Sequence, residues 1–265
     1  MDKEPTLAQK LIAEFLGTAL LVLIGAGSVQ AAIKLDGGSG AKFSMGDLGM
    51  IGFAFAFIIM ANIFAIGRVS GCHINPAITI ALAVTKRFPW AGVVPYLVAQ
   101  YAGAILGGFL IFSVFLPDKS LPATFNRGVT TYAPNLPLQG FLAETLGTFI
   151  LMLAVMGSAV DRRAPVGWAA LTIGVLVAGV VIALGPASGQ GINPARYFGS
   201  YINQWWFGGP LHREQIWVYT TAPVVGAVLA ALTYDFLNGK EAEPVPEPEQ
   251  VREVVSRETV GVPAR

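Results

Sequence analysis

The residues best suited to chemistry in this 265-residue chain are two copies of one tripeptide, Asn75-Pro76-Ala77 and Asn193-Pro194-Ala195. Asn caps the free amides of a starting helix, and Pro at the first helical position has no amide to satisfy, so each tripeptide reads as a helix start. The segments that follow, Pro76 to Val84 and Pro194 to about Tyr201, are too short to cross a bilayer. A helix start carries partial positive charge and the carboxamide beside it donates N–H. The chemistry on offer is therefore hydrogen bonding to a neutral molecule and repulsion of a cation. Arg196 follows the second copy directly and interrupts a long uncharged stretch, which makes a functional role its default reading. Glu14 and Glu144 are acids within apolar stretches, costly unless hydrogen-bonded. A proton relay and structural support are both open to them, and their recurrence at matching positions favours support. His73, two residues before Asn75, reads as a site-lining or loop-bracing group ahead of a pH sensor. No Ser-His pair, His-acid cluster or metal-ligand spacing accompanies these residues, and Cys72 is the single cysteine. The sequence therefore implies no enzyme, no cofactor, no metal and no disulfide.

The elements that must position these groups follow from composition. Apolar residues make up 54% of the chain and charged residues 12%, against about 25% charged in an ordinary soluble domain. Net charge is +1 without a basic patch, which excludes a nucleic-acid binder, and the low charge excludes a disordered chain. Windows free of charge run from Leu48 to Gly67, Phe88 to Pro117, Ala164 to Ala195 and Gln215 to Tyr234. Leu11 to Ile33 and Leu138 to Val160 hold one acid each. About 20 apolar residues cross a bilayer, so six spans fit, in contact with lipid. Six is even, so both termini lie on one face. The pairs Lys86-Arg87 and Arg162-Arg163 lean that face toward the cytoplasm, giving a multi-pass protein of the cell membrane with both termini cytoplasmic. Residues 1–240 form a single membrane domain in this reading. The rest, 241–265, begins Glu-Ala-Glu-Pro-Val-Pro-Glu-Pro-Glu and reads as a disordered cytoplasmic tail.

The two halves repeat. Ala13-Glu14-Phe15-Leu16-Gly17-Thr18 matches Ala143-Glu144-Thr145-Leu146-Gly147-Thr148, the segment from Ser70 to Ala77 matches that from Ser188 to Ala195, and Gly103-Ala104 matches Gly226-Ala227. Each half, about 8–116 and 138–238, holds three spans. Three is odd, so the second half enters the bilayer from the opposite side as an inverted repeat. The two short helices then dip from opposite faces and meet, start to start, near the midplane. The expected fold is all-α, with six transmembrane helices and two re-entrant half-helices.

With these motifs the chain resembles the aquaporin and glycerol-facilitator family from Leu7 to Asn238. It is similar to prokaryotic members between strict water channels and glycerol facilitators. The resemblance implies a homotetramer with one pore per subunit, and a pore built on both Asn-Pro-Ala motifs. It also implies that Glu14 and Glu144 accept hydrogen bonds from the re-entrant loops, and that Phe55, Val181, Gln190 and Arg196 form a narrow outer filter. Strict water channels have His where this chain has Val181. Glycerol facilitators have Gly there with a second aromatic at the loop position, and Asp where this chain has Tyr197. Gln190 either narrows the filter or turns away from it. The implied function is passive conduction of water, with slower passage of glycerol or other small neutral solutes and exclusion of protons and ions. A glycerol facilitator with water as secondary permeant is the alternative, and a secondary transporter with inverted repeats is the more distant one.

Overall fold

Capping residues set where the first two spans begin. Thr6 accepts from the Gln9 amide (3.3 Å) while the Gln9 side chain accepts from the Thr6 amide (2.8 Å). Ser44 and Asp47 make the same reciprocal pair, so each satisfies two amides that a helix start would otherwise leave free. In the computed structural model, which describes residues 4–36, 43–115 and 128–239, these helices are α1 (Leu7–Leu35) and α2 (Met45–Ser70). The half-helix α3 (Pro76–Val84) and the span α4 (Trp90–Phe115) complete the first half. The second half runs α5 (Pro137–Val160), α6 (Ala169–Ser188), the half-helix α7 (Pro194–Trp206) and α8 (Ile216–Asn238). Six of these helices are long and apolar enough to cross a membrane. The acidic, Pro-rich stretch expected to be a tail lies outside the described residues.

Three boundaries differ from the sequence expectation. The uncharged window from Ala164 to Ala195 contains a helix only over Ala169–Ser188. Gly189, in the left-handed conformation (φ 72°), ends it, and the remaining apolar residues form the re-entrant loop. The second half-helix continues to Trp206 rather than stopping near Tyr201. It holds no proline after Pro194, and Asn203 anchors its last turns by donating to the Ile105 carbonyl of α4 (2.9 Å). The first span is also interrupted: Val22–Ala26 winds as a single π-turn inside α1.

Close backbone approach holds the halves together in matching ways. A Cβ on Gly103 of α4 would collide with the Phe15 carbonyl of α1, and one on Gly226 of α8 with the Thr145 carbonyl of α5. These are the same contact in the two repeats. Across the pseudo-two-fold axis, Gly52 of α2 lies on the Ala178 backbone of α6, while Gly174 of α6 lies on the Ala56 carbonyl of α2. Such small-residue contacts let membrane helices pack closely without a hydrophobic driving force between them. Each half-helix packs chiefly on the third span of the other half, α3 on α8 and α7 on α4. Large apolar side chains such as Leu16, Phe57, Val98, Leu146 and Leu229 face outward, as a lipid-solvated exterior requires.

At the face that carries the termini, α8 ties both halves down. Arg87, just after α3, makes a two-pronged ion pair with Asp235 (2.6 and 3.1 Å). Asp161, just after α5, pairs with Arg163 and accepts from the Tyr234 hydroxyl (2.7 Å). The Arg163 guanidinium first, and then that hydroxyl, hold the Asp161 carboxyl well below the usual carboxylate range.

Candidate functional site

The two Asn-Pro-Ala motifs meet by exchanging hydrogen bonds. Asn75 Nδ2 donates to the Ile192 carbonyl (2.9 Å), and Asn193 Nδ2 donates to the Ile74 carbonyl (2.8 Å). Each Asn also caps its own half-helix: Asn75 Oδ1 accepts from the Ala77 amide (3.0 Å), and Asn193 Oδ1 from those of Ala195 (3.0 Å) and Arg196 (3.2 Å). Pro76 and Pro194 occupy the first helical positions, with Ala77 and Ala195 fully buried behind them. A carboxamide has two N–H donors. One is spent on the opposite loop, and the second remains at the wall of a cavity of about 350 Å³ that both Asn residues line.

The loops leading to these caps hold an unusual backbone. Cys72 and Ile74 have φ of 50° and 42°, and their counterparts Gln190 and Ile192 have 46° and 38°. Left-handed conformation at a β-branched residue is strained, costing roughly 1–3 kcal/mol, so something must hold it. Glu14 does so in the first half. It accepts from Ser70 Oγ (2.7 Å), the amides of His73 (2.9 Å) and Ile74 (2.6 Å), and Gln100 Nε2 (2.8 Å). Glu144 accepts from Ser188 Oγ (2.6 Å) and the amides of Gly191 (2.8 Å) and Ile192 (2.6 Å). Both carboxylates are fully buried. The amides of His73, Ile74, Gly191 and Ile192 turn to the glutamates and those of Cys72 and Gln190 to Ser70 and Ser188 Oγ. The loops from Gly71 to Ile74 and Gln190 to Ile192 line the cavity. The facing wall is apolar, carrying Ile59 and Ile63 of α2 and Ile173 and Val177 of α6, one helical turn apart on each helix. His73 also lines the cavity; its Nδ1 lies 3.1 Å from Thr79 Oγ1 and its ring packs on Phe88 and Tyr96.

Away from the termini the cavity narrows at Val181 and Arg196. Both residues also border a second cavity of about 320 Å³ toward the opposite face, so they form the waist between the two. Arg196 Nη1 donates to the Gly128 carbonyl (2.8 Å), and its guanidinium lies 5.5 Å from the centre of the Phe55 ring. Its buried Nε has no partner among the described residues. Phe55, Val181 and Arg196 thus come together. The Gln190 side chain does not join them. Its Nε2 donates to the Ala143 carbonyl and to Ser188 Oγ (3.1 Å each), and its amide oxygen lies against Gly147 of α5. Only a glycine on α5 leaves room for it there.

A family model described as "Major intrinsic protein" matches residues 1–234. The chain belongs to the major intrinsic protein family. It is 44% identical to the aquaporin AqpM of Methanothermobacter marburgensis, over 89% of this chain and 99% of that protein. It is 35% identical to the glycerol uptake facilitator protein-like 5 of Lactiplantibacillus plantarum, over 86% of this chain and 96% of that protein. Its fold matches the aquaglyceroporin of Plasmodium falciparum with a TM-score of 0.73, at 24% identity, covering 87% of this chain and 96% of that one. As a major intrinsic protein with six membrane-spanning helices, it is a multi-pass membrane protein.

Several residues of this major intrinsic protein's site escape sequence reasoning. The Tyr96 hydroxyl donates to the Ser70 carbonyl (2.9 Å), and that of Tyr219 to the Ser188 carbonyl (2.6 Å), bracing each loop where it leaves its span. Extending the repeat seven residues back from Gly103 and Gly226 would have paired them. Gly128, which holds Arg196, lies in the link between halves and has no repeat counterpart to reveal it. Gln190 gives a direct test of its outward turn. Gln190→Ala is expected to lower the melting temperature, through lost hydrogen bonds of roughly 0.5–1.5 kcal/mol each. The ratio of glycerol to water permeability should stay unchanged; a large rise in that ratio would mean that the side chain does narrow the waist.

Proposed function

We propose that this chain is a passive channel that conducts water, passes glycerol and other small neutral solutes more slowly, and turns back protons and ions. The reading rests on one observation above others, the reciprocal hydrogen bonds of Asn75 and Asn193 at the meeting of two helix starts. A water molecule at that point accepts the free N–H of both carboxamides and turns its own hydrogens outward along the file. The chain of hydrogen bonds that would relay a proton is interrupted there. Two helix starts facing one point also oppose a cation, and Arg196 adds a full positive charge at the waist. Loop carbonyls opposite an apolar wall hold a single file of polar molecules without trapping it, as a channel requires.

Relay of a proton by a membrane carboxylate would need one facing the path, and both Glu14 and Glu144 are committed to the loops. A channel in the cell membrane, homotetrameric with its termini in the cytoplasm, is the form we propose. Lys86-Arg87 and Arg162-Arg163 on the face of the termini support that orientation.

One observation favours the second reading, a glycerol facilitator that passes water secondarily. With Gln190 turned away, Phe55 and Val181 form an apolar corner opposite Arg196, which suits the carbon edge and hydroxyl edge of a polyol. Stopped-flow light scattering of proteoliposomes separates the two. Water permeability well above that of protein-free vesicles, with glycerol flux clearly lower, is the expected result. Glycerol flux that rivals water would favour the facilitator, and saturable uptake coupled to an ion gradient would overturn both.

A further inference from the structure

We infer that Gly25, in the π-turn of the first span, sets the width of the waist and so the size of solute it admits. This rests on the channel reading above and goes beyond it, since Gly25 touches no permeant. A Cβ built on Gly25 would overlap the edge of the Phe55 ring at three carbon atoms. The ring therefore lies directly on the Gly25 backbone, with the Arg196 guanidinium 5.5 Å from its centre on the waist side. A bulkier residue at position 25 has to drive the ring toward Arg196 and Val181.

The backbone beneath cannot withdraw to relieve the overlap. Val22 and Ala26, at the two ends of the π-turn, are fully buried. Gly107 of α4 is pressed against Ala19 and Val22, and Gly128 against Ala26. Ser28 Oγ donates to the Gly25 carbonyl (2.7 Å), satisfying an acceptor on the turn. The same five residues thus serve both sides of the waist. Gly25 seats the aromatic wall, while Ala26 supports Gly128, whose carbonyl holds Arg196 (2.8 Å). A π-turn inserts an extra residue into a helical turn and often marks a functional site. Here it presents two adjacent small residues to two different parts of one constriction.

The test is a double-mutant cycle in proteoliposomes, with water and glycerol permeability measured on each variant. Gly25→Ala is expected to cut glycerol permeability by about tenfold, the order by which one methyl group alters fit in an apolar site. Water permeability should fall far less. In a Phe55→Leu background, the same Gly25→Ala change should leave the glycerol-to-water ratio nearly unchanged, because the ring edge it collides with is gone. Equal loss of both fluxes in Gly25→Ala, or the same drop in ratio with and without Phe55, would overturn the assignment. If Gly25→Ala alone yields no folded protein, the comparison of Phe55→Leu with the double variant still decides. A folded double variant with an unchanged ratio supports the seat, and a lowered ratio or failure to fold refutes it. Absence of water and glycerol flux in the unaltered protein would instead overturn the channel reading itself.

Discussion

Replacing Glu14 by Leu is expected to abolish folded protein. The carboxylate satisfies four donors at once: Ser70 Oγ, the His73 and Ile74 amides, and Gln100 Nε2. All lie where lipid and packed helices offer no replacement partner. Each buried donor left alone costs about 1–3 kcal/mol, and the total for four is comparable to the roughly 5–15 kcal/mol by which a typical protein is stable. The loss also releases the strained Ile74 (φ 42°), and with it the carbonyl that Asn193 grips. Glu14→Gln is the informative milder change. Its amide group has one acceptor oxygen, so whichever way it turns, its NH2 faces a backbone N–H, that of His73 or that of Ile74. Ser70 and Gln100 can rotate to offer oxygens, but a backbone amide cannot. A loss of about 1–3 kcal/mol is expected, read as a lower melting temperature and a smaller monodisperse fraction in detergent. The surviving protein should keep its solute preference. Normal stability together with newly proton-coupled flux would contradict the structural role.

Arg196→Val should have the largest effect on selectivity. Arg196 and Val181 together separate the two cavities, so removing the guanidinium joins them through an apolar opening. Glycerol permeability is expected to rise about tenfold or more, the order that changes of a few atoms produce in apolar sites. Ion exclusion should weaken as well. A cation about 5 Å from the guanidinium, at an effective dielectric of about 20, meets about 3 kcal/mol of repulsion, or roughly 10²-fold in rate. Some exclusion should persist, because the two helix starts at Asn75 and Asn193 are untouched. Voltage-clamp currents and proteoliposome glycerol uptake read the two effects separately. Unchanged glycerol flux would mean that Arg196 does not limit passage through the waist.

The Glu14 and Arg196 arguments differ in how much of them the sequence contains. The number of spans, the helix starts at Pro76 and Pro194, and the inverted order of three spans per half were all readable from the chain. Each depends on local chemistry: the run of apolar residues, the missing amide of Pro, the capping carboxamide of Asn. The pairing of Glu14 with Glu144 was readable because duplication wrote it twice.

Tertiary structure alone decided what lies across the pore from each of these groups. Whether Gln190 enters the waist depended on a glycine 43 residues earlier, Gly147, which leaves space beside α5. The carbonyl that holds Arg196 belongs to Gly128, in a link with no periodicity to read. The seat of Phe55 came from Gly25, whose type is visible but whose π-turn and neighbour are not. The physical reason is common to all three. Hydropathy and capping act through a residue's own chain neighbours, whereas the width of a pore is set by contacts between segments far apart in sequence.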